Sequence, residues 1–179
     1  MGPTERELCP VDSRPADNMP WFAVVSKPQH EHAVHEGLSH NGLESFLPTY
    51  DAARRWSDRV KHLQLPLFPG YVFCRFGRPN KVRILRTPGV RSIVSCGTEI
   101  LPVPQEEIDR IRLMVSSGAP LEPWPAIKTG QRVRVCDGPL FGLEGILAEI
   151  RNTTRVVVGM DFLQRSVAVQ LDRGQIRPV

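Results

Sequence analysis

Hydrophobic positions along this chain follow two different patterns, with the change near residue 119. Between residues 21 and 118, short alternating runs are interleaved with segments of helical spacing; from residue 130 onward only alternating runs remain. Trp21-Phe22-Ala23-Val24-Val25-Ser26 reads as a strand of bulky and β-branched residues that Lys27-Pro28 ends. Residues 29–41 carry a thin apolar stripe of Ala33, Val34 and Leu38 and close on Asn41-Gly42, so a short helix is expected. Residues 44–50 read as a second strand, and 54–62 as an exposed hairpin with its tip near Ser57-Asp58. Pro69-Gly70 is a turn signal, because proline pre-sets φ and glycine takes the positive φ that follows. In the strand after it, Tyr71, Phe73 and Arg75 share one face and Val72, Cys74 and Phe76 the other. Residues 80–86 predict a short helix and 90–94 a strand. A last helix starts at Pro104, has Glu106, Glu107 and Asp109 in its first turn, buries Ile108, Ile111 and Val115, and stops at Gly118.

The resulting order, β-α-β-β-α-β-α, predicts an α+β domain over 21–118 with a mostly antiparallel sheet flanked by helices. Residues 119–129 read as a stiff spacer, because Pro120, Pro123 and Pro125 deny it helix or ladder potential. Beyond it, short strands at 132–135, 145–151, 155–160, 166–171 and 175–177 predict a small SH3-like or OB-like barrel over 130–179. Residues 1–20 are polar, punctuated by proline and without periodicity, and a disordered leader is expected there.

Composition narrows the function classes. With 179 residues, 41% hydrophobic and 23% charged, the chain is an ordinary globular one. A net charge of +4 suits a polyanionic neighbourhood, and the preference for arginine over lysine suits bidentate contact with phosphate or carboxylate. Cys9, Cys74, Cys96 and Cys136 are scattered without a C-x-x-C pair, which points to reduced thiols in the cytoplasm. No apolar run is long enough to cross a membrane. Catalytic elbows, phosphate loops, dinucleotide fingerprints and H-E-x-x-H motifs do not occur, so a monomeric binding protein without cofactors, and not an enzyme, is expected. His32 and His35 lie at i, i+3 but lack a thiol or carboxylate to complete a metal site. Trp56, among Arg54, Arg55, Arg59, Lys61 and His62, fits either a nucleic-acid grip or a solvated, edge-protecting hairpin. The strand at 71–76 is likewise either covered on both faces within its domain or docked by a partner on one of them.

Four motifs in order carry a resemblance. Trp21-Phe22-Ala23-Val24, Leu67-Phe68-Pro69-Gly70-Tyr71-Val72-Phe73, Arg86-Thr87-Pro88-Gly89-Val90, and Gly130-Gln131-Arg132-Val133-Arg134-Val135 with Gly138-Pro139-Leu140 and Leu143-Glu144-Gly145 resemble the signatures of the NusG family of transcription elongation factors. The resemblance spans residues 21–179 and implies an N-terminal NGN domain that rides on RNA polymerase and a C-terminal KOW barrel. It implies that Trp21, Phe68, Tyr71 and Phe73 meet the clamp helices of the largest polymerase subunit, and that Asn80, Lys81 and Arg83 meet the gate loop of the second-largest. Lys27 falls on a basic position with which RfaH-like members contact the non-template DNA strand, His40 and Asn41 occupy neighbouring polar positions that are either part of that contact or a solvated helix end, and Leu163 and Arg165 fall where the barrel contacts the ribosome or Rho. Leu140 and the run Leu163-Gln164-Arg165-Ser166-Val167-Ala168-Val169 depart from the general factor and look like the operon-specific, RfaH-like antiterminators. The resemblance therefore implies a specialised antitermination factor. The alternatives are the housekeeping factor acting with Rho and the ribosome, or a ribosome- or RNA-associated KOW protein. If the docking face is right, Tyr71→Asp or Phe73→Asp should abolish polymerase binding and leave the fold intact.

Overall fold

In the N-terminal sheet, β1 (Trp21–Ser26) is flanked by β5 (Tyr71–Arg75) on one side and β6 (Val90–Ile93) on the other, both antiparallel. β2 (Glu44–Phe46) extends the sheet beyond β5, and the two-residue strand β9 (Pro102–Val103) pairs with the start of β1. The computed structural model describes residues 19–55, 60–125, 130–150, 153–160, 163 and 165–179. The register sets Ala23 against Phe73 and Val25 against Tyr71, so the two strands put matching faces together. One face, with Phe22, Val24, Val72, Cys74 and Phe76, packs on Val34 and Leu38 of α1 (Glu31–His40) and on Ile84 of α2 (Lys81–Leu85). The other, with Trp21, Ala23 and Phe73, packs on Ile108, Ile111 and Met114 of α3 (Gln105–Ser116). Val72, Phe73, Cys74 and Phe76 are thus covered within the chain, while Tyr71 and Arg75 are half-buried.

Local signals explain most boundaries. Gly42, at φ +71, ends α1 with Leu43 N–H donating back to the Leu38 carbonyl. Gly70, at φ +85, completes the turn that Tyr71 N–H closes on the Phe68 carbonyl. The strand predicted over 44–50 is two strands instead. Pro48 has no N–H to continue the ladder, and past it the chain leaves the sheet as β3 (Thr49–Arg55) to pair with β4 (Val60–Pro66). This hairpin is longer than predicted, and Trp56 with the rest of its tip lies outside the described residues. A small hairpin of β7 (Ser95–Cys96) and β8 (Glu99–Ile100) was not predicted; two-residue strands leave no periodicity to read.

The spacer is the clearest correction. Residues 121–125, expected to have no ladder potential, form β10 (Leu121–Pro125) on β14 (Arg165–Gln170). The strands run in the order β10, β14, β13 (Thr153–Met160), β12 (Glu144–Ile150), β11 (Arg132–Val135), β15 (Ile176–Pro178). β10 is an end strand, where proline's missing donor breaks no ladder on the far side. Its side chains also engage: Glu122 pairs with Arg155, whose guanidinium lies 5.4 Å from the Trp124 ring. Inside this sheet Val133, Val135, Leu140, Val156, Val167 and Val169 form one apolar filling, which is continuous with the core under α3. Leu121→Asp is expected to lower stability by about 2 kcal/mol, since it removes a half-buried leucine from this filling. A urea midpoint equal to that of the parent would restore the spacer reading.

Among the described residues, no helix is long and apolar enough to cross a membrane. Burial pushes the Cys74 thiol up to about 12, with the Glu44 carboxylate adding to the effect, so this thiol stays protonated.

Candidate partner-binding surfaces

Two concave surfaces draw on residues of the N-terminal domain. The first is a groove of about 760 Å³ beside the Pro69-Gly70 turn, with Tyr50, Leu63, Leu65 and Tyr71 in its wall. Glu31, at the start of α1, is buried against it and accepts the Gly70 N–H at 2.8 Å, which ties the turn to the helix. Ser26 also lines the groove, and its buried hydroxyl has no hydrogen-bond partner among the described residues. Gln29, a non-glycine residue at φ +62, sits on the same rim. Arg165 of the C-terminal sheet completes the lining. The structure thus brings Tyr71 and Arg165, expected to meet different partners, to one groove.

The other residues expected at the clamp are not on the surface. Trp21 and Phe68 are 1% exposed and Phe73 0%. Phe73 lies edge-on to Phe68 at 5.8 Å and tilted against Phe46 at 6.2 Å. Trp21 donates its indole N–H to Gln105 Oε1 at 3.1 Å and is faced by Arg75 and Arg112 at 4.9 and 5.2 Å. Glu44 binds both arginines, so the group clamps α3 onto the sheet. In this conformation Trp21, Phe68 and Phe73 are structural, and Tyr71 alone of the four is open to a partner. Leu163 is also an interior residue, 6% exposed.

The second concavity, about 600 Å³, lies between the end of α1 and the segment around α2. Asn41, Asn80, Val82, Arg83, Arg86 and Thr87 contribute to it. Thr87 organises its floor: the Thr87 hydroxyl donates to the Arg83 carbonyl at 3.3 Å and receives the Asn41 amide at 3.4 Å. Lys27 donates its backbone N–H to the Gly89 carbonyl at 2.8 Å, which places it beside the same turn. Lys27, Asn41, Asn80 and Arg83 are thereby gathered around residues 86–89. Lys81 is half-buried at the start of α2, and His40 is exposed with its ring bonded to the Glu36 carbonyl of its own helix. Sequence reasoning missed Arg86 and Thr87 as members of this cleft. Its signal was available, since residues 71–98 contain no Asp or Glu.

His35 does not turn toward His32. Its Nδ1 shares a 2.7 Å hydrogen bond with Ser45 Oγ, and burial first, then the charge of His32, holds its pKa below the usual histidine value.

The family model of the transcription termination factor NusG matches residues 19–112, more than half of the chain. This chain belongs to the NusG family. Its relatives include the transcription termination/antitermination proteins NusG of Lactococcus lactis and Vibrio cholerae. The first is 26% identical over 89% of this chain and 92% of its own length; the second is 28% identical over 87% and 93%. NusG of Pseudomonas aeruginosa is 27% identical over 80% of this chain and 84% of its own. The solved structure described as domain interaction in Thermotoga maritima NusG shares the fold, with a TM-score of 0.61 and 23% identity over 92% of this chain and 99% of that one. NusG proteins are transcription termination/antitermination factors and not enzymes, and the α+β architecture of this chain is theirs.

Proposed function

We propose that this NusG-family protein binds RNA polymerase through the groove beside Tyr71 and acts in the cytoplasm, as a monomer, as an operon-specific elongation and antitermination factor. The observation that carries this reading is the groove itself: a mostly apolar concavity that includes the buried Ser26 hydroxyl, which has no hydrogen-bond partner among the described residues. Such a surface gains from being covered by a protein element with one placed polar group. Clamp helices of the largest polymerase subunit are the occupant, while Asn80, Lys81 and Arg83 reach the gate loop of the second-largest. Bridging both sides of the polymerase cleft favours its closed state by differential binding and needs no chemistry.

Lys27, His40 and Asn41 face the non-template DNA strand in this reading; Lys27 and Asn41 both bond to the turn at residues 87–89. Specialisation is supported by Leu140 and Leu163, both interior here, at positions where the general factor carries phenylalanine. Arg165 and Leu163 recruit the ribosome or Rho only when the barrel leaves the groove. The housekeeping reading has its own support, because the relatives that match along both domains carry the termination/antitermination name. A defined transcription assay with purified polymerase, with and without Rho, separates the two. Faster elongation with Rho-dependent termination unaffected or suppressed is the expected result. Enhanced termination would establish the housekeeping role, and no effect without polymerase binding would reject both.

A further inference from the structure

Five buried side-chain atoms lack a hydrogen-bond partner among the described residues, and four of them belong to side chains anchored through other contacts. Arg75 binds Glu44, Arg155 pairs with Glu122, and Glu107 has an interaction of its own. Ser26 is different, because the hydroxyl is the one polar atom its side chain has. An orphaned hydroxyl costs the free protein stability, so its retention calls for an explanation. Ser26 ends β1 on the face of Phe22 and Val24 and lines the groove beside Tyr71. Gly70 ties it to a second acceptor: Ser26 N–H donates to the Gly70 carbonyl at 2.9 Å, and Gly70 N–H donates to Glu31 Oε1 at 2.8 Å. Glu31 is buried and lines the same groove, yet it forms no ion pair among the described residues. The basic residues of the wall, His32, Arg91 and Arg165, are exposed on its rim.

We propose that Ser26 and Glu31 form a polar seat in the groove that receives a basic side chain, an arginine or lysine, from the polymerase clamp helices. The inference rests on the docking proposed at Tyr71, and it names the group that the partner brings there. An ionised carboxylate only accepts, and a hydroxyl beside it supplies a further acceptor, so the pair fits a positively charged N–H donor. A partner acid would instead set two carboxylates side by side out of water, a strongly unfavourable arrangement. Rotation of the Ser26 side chain between staggered positions swings its hydroxyl toward the opening. Tyr50, Leu63, Leu65 and Tyr71 then enclose the apolar stem of the incoming side chain, while its charged head reaches the seat. Enclosure expels water and strengthens the pairing with Glu31. The exposed rim cations are screened by solvent and salt, so they oppose the pairing less than the buried carboxylate favours it. The hydroxyl left without a partner in the free protein is thus satisfied in the complex.

The test compares stability with affinity in the same variants, using the full chain and purified core RNA polymerase. Ser26→Ala removes no side-chain hydrogen bond from the free protein, so its urea midpoint should equal or exceed the parent's. Its Kd for polymerase should nevertheless rise about 10-fold, or about 1.4 kcal/mol. Glu31→Gln keeps an oxygen for the Gly70 N–H and removes the charge. Its Kd should rise at least ~10-fold, with a flatter dependence on salt than the parent shows. If Glu31→Gln fails to fold, Ser26→Ala carries the test. Three results would overturn the seat. The first is either folded variant binding within about twofold of the parent. The second is a Ser26→Ala midpoint that falls in step with its affinity, which marks a structural role. The third is tighter binding by Glu31→Gln, which marks a site for an acidic group. The docking reading is scored separately: binding that Tyr71→Asp removes and both seat variants keep would retain the groove and reject the seat. A parent chain that does not bind polymerase would reject both.

Discussion

Phe73→Asp unfolds the N-terminal domain. The ring is fully buried, edge-on to Phe68, tilted against Phe46, and in one cluster with the α3 residues Ile108 and Ile111. Removing a buried phenylalanine costs about 3–5 kcal/mol through lost transfer energy and the cavity left behind. A carboxylate in its place has no cation to meet inside that cluster, and its desolvation adds to the loss. The sum approaches the whole stability of a domain, about 5–15 kcal/mol. The measurement is a thermal melt with near-ultraviolet circular dichroism: the aromatic signal should be weak or absent at temperatures where the parent is folded. A variant that melts with the parent would place Phe73 on the surface and reject the packing described. This outcome replaces the expectation, drawn from the sequence, that the same substitution spares the fold.

Tyr71→Asp has the opposite profile. Tyr71 stands at the edge of the sheet face, half-buried and facing the groove, and its backbone pairing to Val25 does not depend on the ring. The fold should survive. Binding to purified RNA polymerase should weaken by about 3 kcal/mol, more than ~100-fold, because an aromatic anchor is lost and a charge must be desolvated in the interface. Folded Tyr71→Asp protein that binds polymerase within about threefold of the parent would reject the groove as the docking face. The pair of substitutions is informative together: neighbours on one strand face, two residues apart, are expected to fail in different assays.

The alternation at 71–76 made both faces of β5 legible, and the register shows them as expected. Alternation does not say what lies over each face, so it could not separate Tyr71 from Phe73. Nor did the sequence show that Trp21 and Phe68 are interior in this conformation, since an aromatic residue in a motif reads alike whether it touches a partner or supports a residue that does. Residues 121–125 were misread because the rule against proline in ladders applies to central strands, and the sequence does not reveal which strand ends a sheet. The α2 cleft draws on residues 41, 79, 80, 82, 83 and 86–88, with Thr87 bonded to both Asn41 and Arg83, and no window of sequence displays that assembly. Its charge, by contrast, was written in one continuous stretch without a carboxylate.

The pairing of β10 with β14 sets the length of a leash. With β10 in place, only residues 117–120 join α3 to the C-terminal sheet. So short a tether spans about 14 Å at full stretch. Peeling β10 away would free residues 117–125 and lengthen it to roughly 30 Å. In the zipped state the C-terminal sheet has almost no radius of action about the N-terminal domain. Its reach is therefore set by a five-residue ladder that includes two prolines, the kind of strand that lets go most easily.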